Sequence, residues 1–195
     1  MLEEIEEVKI VLLGDTNVGK TSILRAYVYP DTLLDNMKPT VGSASEQKLV
    51  EFNGSKYMLN ITDTAGQERF RGLVPVYLHG AKAAIIVVDI SKDDATNSIE
   101  YWVNFVKENT NDIREVILCC NKIDLIDSGE STISIDDLQE KASELNLTFF
   151  ETSAKTGFGI YKMFEYLISK ISAMNDEEEK PVPQQISRGE KGGCC

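Results

Sequence analysis

The chain has 195 residues, 42% of them apolar, a size and composition that suit one domain around one core. Against 32 Asp and Glu stand 20 Lys and Arg, and the resulting net charge of -12 repels a phosphate backbone, so nucleic acid is not an expected partner. The opening MLEEIEEVKI is acidic where a secretory leader is basic, and the apolar runs fall short of a membrane span, so a protein made and folded in the cytosol is expected.

Val8 to Leu13 (VKIVLL) reads as a short buried strand. It feeds Gly14-Asp15-Thr16-Asn17-Val18-Gly19-Lys20-Thr21, the pattern G-x-x-x-x-G-K-[ST], and a helix-like stretch follows from Lys20 to Val28. Between a strand and a helix this pattern has a mechanism. The glycines let backbone N–H groups turn inward around phosphates, Lys20 places a positive charge at the β and γ oxygens, and the Thr21 hydroxyl can ligate Mg²⁺. Asp15, Thr16, Asn17, Val18, Gly19, Lys20, Thr21 and Ser22 are therefore the candidate phosphate-binding residues.

Lys48 to Phe52 and Lys56 to Ile61 read as strands joined at Asn53-Gly54, a two-residue turn that only an antiparallel pair can use. Asp63-Thr-Ala-Gly66-Gln67-Glu-Arg69-Phe70 follows. Asp63 can reach a metal through water, the Gly66 N–H can contact a γ-phosphate, and the Gln67 amide can both donate and accept hydrogen bonds to orient an attacking water.

Ala83 to Asp89, Val116 to Cys120 and Thr148 to Glu151 read as further strands, with helices at Asp94 to Glu108, Asp136 to Leu145 and Ile160 to Ala173. The alternation predicts an α/β fold, a mostly parallel sheet of six strands with one antiparallel pair and helices on both faces. Asn121-Lys122-Ile123-Asp124 lies at the end of an apolar strand. The Asp124 carboxylate can accept hydrogen bonds from guanine N1–H and the 2-amino group, whereas adenine lacks that amino group and presents a lone pair at N1. The Lys122 stem can lie along the base, and Asn121 can brace the loop.

Cys119 and Cys120 read as core residues, and neither cysteine pair has metal-ligand spacing. His79 reads as a packing or capping residue, and Tyr101 and Trp102 as partly buried aromatics. DEEEKPVPQQISRGEKGGCC has almost no large apolar residues, which divides the chain into a domain over 1–175 and a flexible tail over 176–195. Cys194 and Cys195 are candidate lipid acceptors. The acidic residues in the tail rule out a polybasic anchor, and since one lipid chain binds a membrane only marginally, both cysteines are expected to carry one.

The phosphate loop, DTAGQERF, NKID and Glu151-Thr152-Ser153-Ala154-Lys155 resemble the nucleotide motifs of the Ras superfamily in order and spacing, over about residues 7 to 173. Gln67 to Phe70, Tyr77 to Ala81 and Cys194-Cys195 are most similar to the Rab family. The resemblance implies a single P-loop GTPase domain in which Thr40, in Lys38-Pro39-Thr40-Val41-Gly42, joins Thr21 and Asp63 at Mg²⁺ when the γ-phosphate is present. Ser153, Ala154 and Lys155 would back the guanine, with the Ala154 N–H near O6.

The implied function is a Rab-like switch that cycles between GTP and GDP, hydrolyses GTP slowly without an activating protein, and regulates vesicle trafficking through effectors. Its partners would include an exchange factor, an activating protein, and prenylation and extraction chaperones. Geranylgeranyl groups would hold it on the cytoplasmic face of an intracellular membrane, with a cytosolic pool. The alternative is a GTP-binding scaffold with negligible hydrolysis. Three departures stand out: Asp31-Thr32-Leu33-Leu34 replaces the usual aromatic beside the guanine, Ser45 and Thr62 replace two members of an exposed aromatic triad, leaving Tyr77, and Thr16 stands where Ras itself carries a glycine, although Rab proteins often have a small polar residue there.

Overall fold

The computed structural model describes residues 5–30, 43–64 and 74–178, with backbone alone at 43 and 175–178. Thr40, Gly66, Gln67, Cys194 and Cys195 lie outside the described residues. In chain order the elements are β1 (Ile5–Leu13), α1 (Lys20–Val28), β2 (Ser43–Phe52), β3 (Ser55–Thr64), α2 (Val74–Leu78), β4 (Ala83–Asp89), α3 (Ala95–Asn109), β5 (Glu115–Asn121), a 3₁₀ turn (Ile123–Leu125), α4 (Ile135–Glu144), β6 (Thr148–Glu151) and α5 (Ile160–Glu178).

The strands form one six-stranded sheet in the order β2-β3-β1-β4-β5-β6. Only β2 and β3 run antiparallel. Their turn has positive φ at both central residues, 51° at Asn53 and 81° at Gly54, the backbone twist that a two-residue hairpin needs.

Strand side chains alternate between faces, and the sheet carries a core on each. Val8, Ile10 and Leu12 of β1, Ile85 and Val87 of β4 and Cys119 of β5 face one way, against Ile23, Leu24 and Tyr27 of α1 and Met163, Phe164 and Leu167 of α5. Val11, Leu13, Ile86, Val88 and Cys120 face the other way, against α2, α3 and α4. Every residue of β4 is buried, as expected for a strand covered on both sides.

The structure differs from the sequence reading mainly at element ends. β2 begins at Ser43 rather than Lys48, because Ser45-Glu46-Gln47 pair fully with β3 while lacking an apolar alternation to announce a strand. The five-residue α2 is too short to show a helical period. α5 continues to Glu178, past Asn175; Glu propagates a helix well enough to outlast the apolar pattern.

Candidate functional site

In a parallel sheet with helices on both faces, ligands gather beyond the carboxyl ends of the strands, where the chain leaves in different directions. The loop after β1 runs from Gly14 to Gly19, with φ of 137° at Gly14, 65° at Asn17 and 100° at Gly19. Such alternation turns successive N–H groups to one side and forms an anion-binding concavity. The loop opens α1, whose first turn has no acidic residue and no side-chain cap, so the positive end of the helix dipole adds to the loop's preference for an anion.

Two glycines are dictated by packing as well as by φ. A Cβ on Gly14 would stand 2.3 Å from the Val87 carbonyl oxygen, and one on Gly19 would stand 2.2 Å from Asn121 Nδ2. Lys20 is 5% exposed and curls back into the loop, where Nζ donates to the carbonyls of Gly14 and Asp15, both at 2.7 Å. Burial lowers its pKa to about 8, with Asp63 and then Asp15 pulling the other way. A buried ammonium whose hydrogen bonds go to neutral carbonyls is matched to an anion, and phosphate oxygens fit that place.

At the next strand end Asp63 is fully buried and its Oδ2 accepts the Thr21 hydroxyl at 2.5 Å. The pair sets a carboxylate and a hydroxyl side by side at the helix start. Hard oxygen donors of this kind suit Mg²⁺, and the residues present fit the ion that the motif implies.

Asn121, at the end of β5, binds the loops together. Its Nδ2 donates to the Val18 carbonyl at 2.9 Å, and its Oδ1 accepts the Ala154 N–H at 3.1 Å and the Thr152 hydroxyl at 3.3 Å. The Ala154 N–H, expected to face guanine O6, is thus committed to Asn121. Asp124 is held by the Ser153 hydroxyl, which donates to Oδ1 at 2.5 Å, while Lys155 Nζ lies 3.8 Å from Oδ2 and is largely exposed. The Lys122 ammonium pairs with Asp89 Oδ2 at 2.5 Å.

Thr16 and Asn17 are exposed at the loop's outer turn, Val18 is buried and Ser22 is half-buried in the first turn of α1. Residues 15–22, 63, 121–124 and 153–155 are therefore gathered at one end of the sheet, as the sequence motifs demand. Ser45, Thr62 and Tyr77 line one open groove of about 490 Å³ together with Glu7, Lys9 and Asn60, and the Ser45 and Thr62 hydroxyls lie 3.2 Å apart. Where an aromatic triad was the family expectation, two hydroxyls stand beside the Tyr77 ring.

Two residues of the site escaped the sequence reading. Trp102 is fully buried rather than partly so, and its indole Nε1–H donates to Asp15 Oδ1 at 3.3 Å. Asp89 carried a signal that was available: a carboxylate closing an otherwise apolar strand at the ligand-binding edge of the sheet.

Sheet order, phosphate loop and helix start define a P-loop GTPase domain. The Ras family profile matches residues 9–173. The chain is 36% identical over 200 residues to Ras-related protein Rab-31 of Homo sapiens, covering 98% of each chain. It is 39% identical over 167 residues to Ras-related protein Rab-22A of Homo sapiens, covering 86% of this chain and 84% of the relative. The chain belongs to the Ras family. It is a Rab-like GTPase that cycles between GTP and GDP and hydrolyses GTP, and family membership disfavours the non-hydrolysing alternative.

Proposed function

We propose that this GTPase is a membrane-recruited trafficking switch whose nucleotide is held from both ends by a single preassembled frame. The observation that carries this reading is the Asn121 side chain, which ties the Val18 carbonyl of the phosphate loop to the Ala154 N–H behind the base.

In this reading Asp15, Thr16, Asn17, Val18, Gly19, Lys20, Thr21 and Ser22 surround the phosphates, with Lys20 leaving its loop carbonyls for the β and γ oxygens. Asp124 accepts from guanine N1–H and the 2-amino group, and Ser153 keeps that carboxylate aimed. Lys122 and Lys155 flank the base, and Ala154 supports it by holding Asn121 in place. Thr21, Asp63 and Thr40 are the residues to hold Mg²⁺, which when bound neutralises charge between the β- and γ-phosphates. Gln67 orients the attacking water, and Gly66 and Thr40 contact the γ-phosphate and release it after hydrolysis.

Among the described residues no arginine belongs to the phosphate loop or to the strand ends around it, so an activating protein is expected to complete the transition-state charge. The groove around Ser45, Thr62 and Tyr77 gives effectors a mixed surface, with hydroxyls beside one aromatic ring, to read. Among the described residues no helix is long and apolar enough to cross a membrane. Attachment is assigned to geranylgeranyl groups on Cys194 and Cys195, with cycling between the cytoplasmic face of an intracellular membrane and the cytosol on an extraction chaperone.

The test is single-turnover hydrolysis of bound GTP with Mg²⁺ or with a chelator. Slow conversion to GDP in Mg²⁺, and loss of nucleotide on chelation, are expected. A protein that binds no guanine nucleotide in either condition would overturn the reading.

A further inference from the structure

We propose that Asp89 is a positioning residue for nucleotide retention: it pins the Lys122 ammonium so that the lysine stem forms a fixed wall of the base pocket. The proposal rests on the reading of Asn121 to Asp124 as the base-binding loop.

Asp89 is the last residue of β4, paired in register with Asn121 of β5, so it stands directly beside that loop. Its side chain is fully buried. The two carboxylate oxygens are divided between two tasks. Oδ1 accepts the Ser91 N–H at 2.9 Å and the Ser91 hydroxyl at 2.7 Å, which fixes the turn leaving β4. Oδ2 accepts Lys122 Nζ at 2.5 Å. A local turn needs only the first oxygen, and the second is committed to a cation across the sheet end.

The lysine side of the pair is built for the same purpose. Lys122 has φ of 66°, left-handed for a residue with a Cβ, and the next N–H, that of Ile123, is bonded to the Thr152 carbonyl at 3.2 Å. Backbone bonding therefore holds a conformation that aims the side chain back toward β4. The lysine side chain is 34% exposed while its partner is 0% exposed, so the ion pair reaches inward from a side chain that is not itself fully covered. An unpinned lysine would sample many rotamers and would have to be ordered each time a base bound. Holding it beforehand removes that cost, which lowers the release rate of the bound nucleotide. A buried carboxylate is itself tolerated only when paired and hydrogen-bonded, and Asp89 has both.

Release of GDP from the full chain, measured with a fluorescent GDP analogue, separates the two tasks. Asp89→Asn keeps an oxygen for Ser91 but removes the charge that holds Lys122, and release should accelerate about tenfold, the worth of one charge-assisted hydrogen bond. Lys122→Met keeps an apolar stem without the pin and should accelerate release by a similar factor. The double variant should add less than about twofold to either, since both remove the same interaction. Ser91→Ala, which touches only the turn, should leave release near the parent rate.

Unchanged release in Asp89→Asn, or effects of the two substitutions that multiply, would overturn the proposal. If Asp89→Asn does not fold, Lys122→Met decides alone, and unchanged release again overturns it. Asp124→Asn measured in parallel isolates the premise. Unaltered guanine affinity there would refute the base-binding reading and this proposal with it, whereas lost guanine affinity beside an inert Asp89→Asn would refute only the pin.

Discussion

Asn121 Nδ2 donates to the carbonyl of Val18, a residue 103 positions earlier, at 2.9 Å, and so couples the phosphate loop to the base loop through one buried amide. Both ends of that amide are used, and Asn121 is 1% exposed. Asn121→Ala would leave the Val18 carbonyl and the Ala154 N–H buried without this partner, each costing about 1–3 kcal/mol. The expected outcome is a lower melting temperature together with nucleotide release accelerated by at least about tenfold. A variant that melts like the parent and keeps its nucleotide would show that the frame does not depend on Asn121.

The glycine at position 19 is fixed from the same direction. With φ of 100° and a Cβ position 2.2 Å from Asn121 Nδ2, Gly19→Ala meets backbone strain and a clash with a buried side chain at once, costing about 2–4 kcal/mol. Gly54 also has positive φ, 81°, but nothing lies within 4 Å of its Cβ position, so Gly54→Ala should cost only about 1–2 kcal/mol. Chemical denaturation of the two variants side by side checks the ranking.

Burial pushes the Cys119 thiol up to about 12 from 9.0, with the Thr152 hydroxyl contact pulling slightly the other way. Below pH 9 the thiol is protonated folded or unfolded, and stability is unaffected. Between about pH 9 and 12 the unfolded chain ionises while the folded one does not, so the unfolded state gains and stability falls. Unfolding free energies measured across that window should decline less steeply in Cys119→Ala than in the parent. At pH 8 a thiol-alkylating reagent should leave Cys119 and Cys120 unmodified in the native protein and modify both once the chain is unfolded.

Replacing the Gln67 amide with an apolar side chain tests the assigned hydrolytic role. Gln67→Leu should slow single-turnover GTP loss at least about tenfold while GTP affinity holds, because the residue orients water and does not grip the nucleotide. Equal rates in parent and variant, with and without an activating protein, would remove Gln67 from the mechanism.

How far the sequence carried depended on the kind of signal. The parallel sheet was legible because β4 and β5 are continuous apolar runs, and the hairpin because Asn53-Gly54 has one favoured backbone solution. The site motifs were legible because strand, glycine loop and helix start fall in the order their chemistry requires. β2 hid its first half because a sheet edge with an uncovered polar face need not alternate. The Trp102–Asp15 hydrogen bond and the Asp89–Lys122 pair were not readable, since each joins residues that only the folded sheet brings together. A buried indole and a strand-end carboxylate are compatible with plain packing until their partners are known.

Asp124 carries the central claim that this pocket holds guanine, and Asp124→Asn tests it most directly. The amide loses the acceptor pair for guanine N1–H and the 2-amino group but can donate to the 2-oxo group of xanthine. Dissociation constants for GDP and xanthosine diphosphate, measured on the same preparations, should cross: the parent prefers GDP and the variant prefers xanthosine diphosphate. A variant that still binds GDP as tightly as the parent, with no gain for xanthosine diphosphate, would contradict the account.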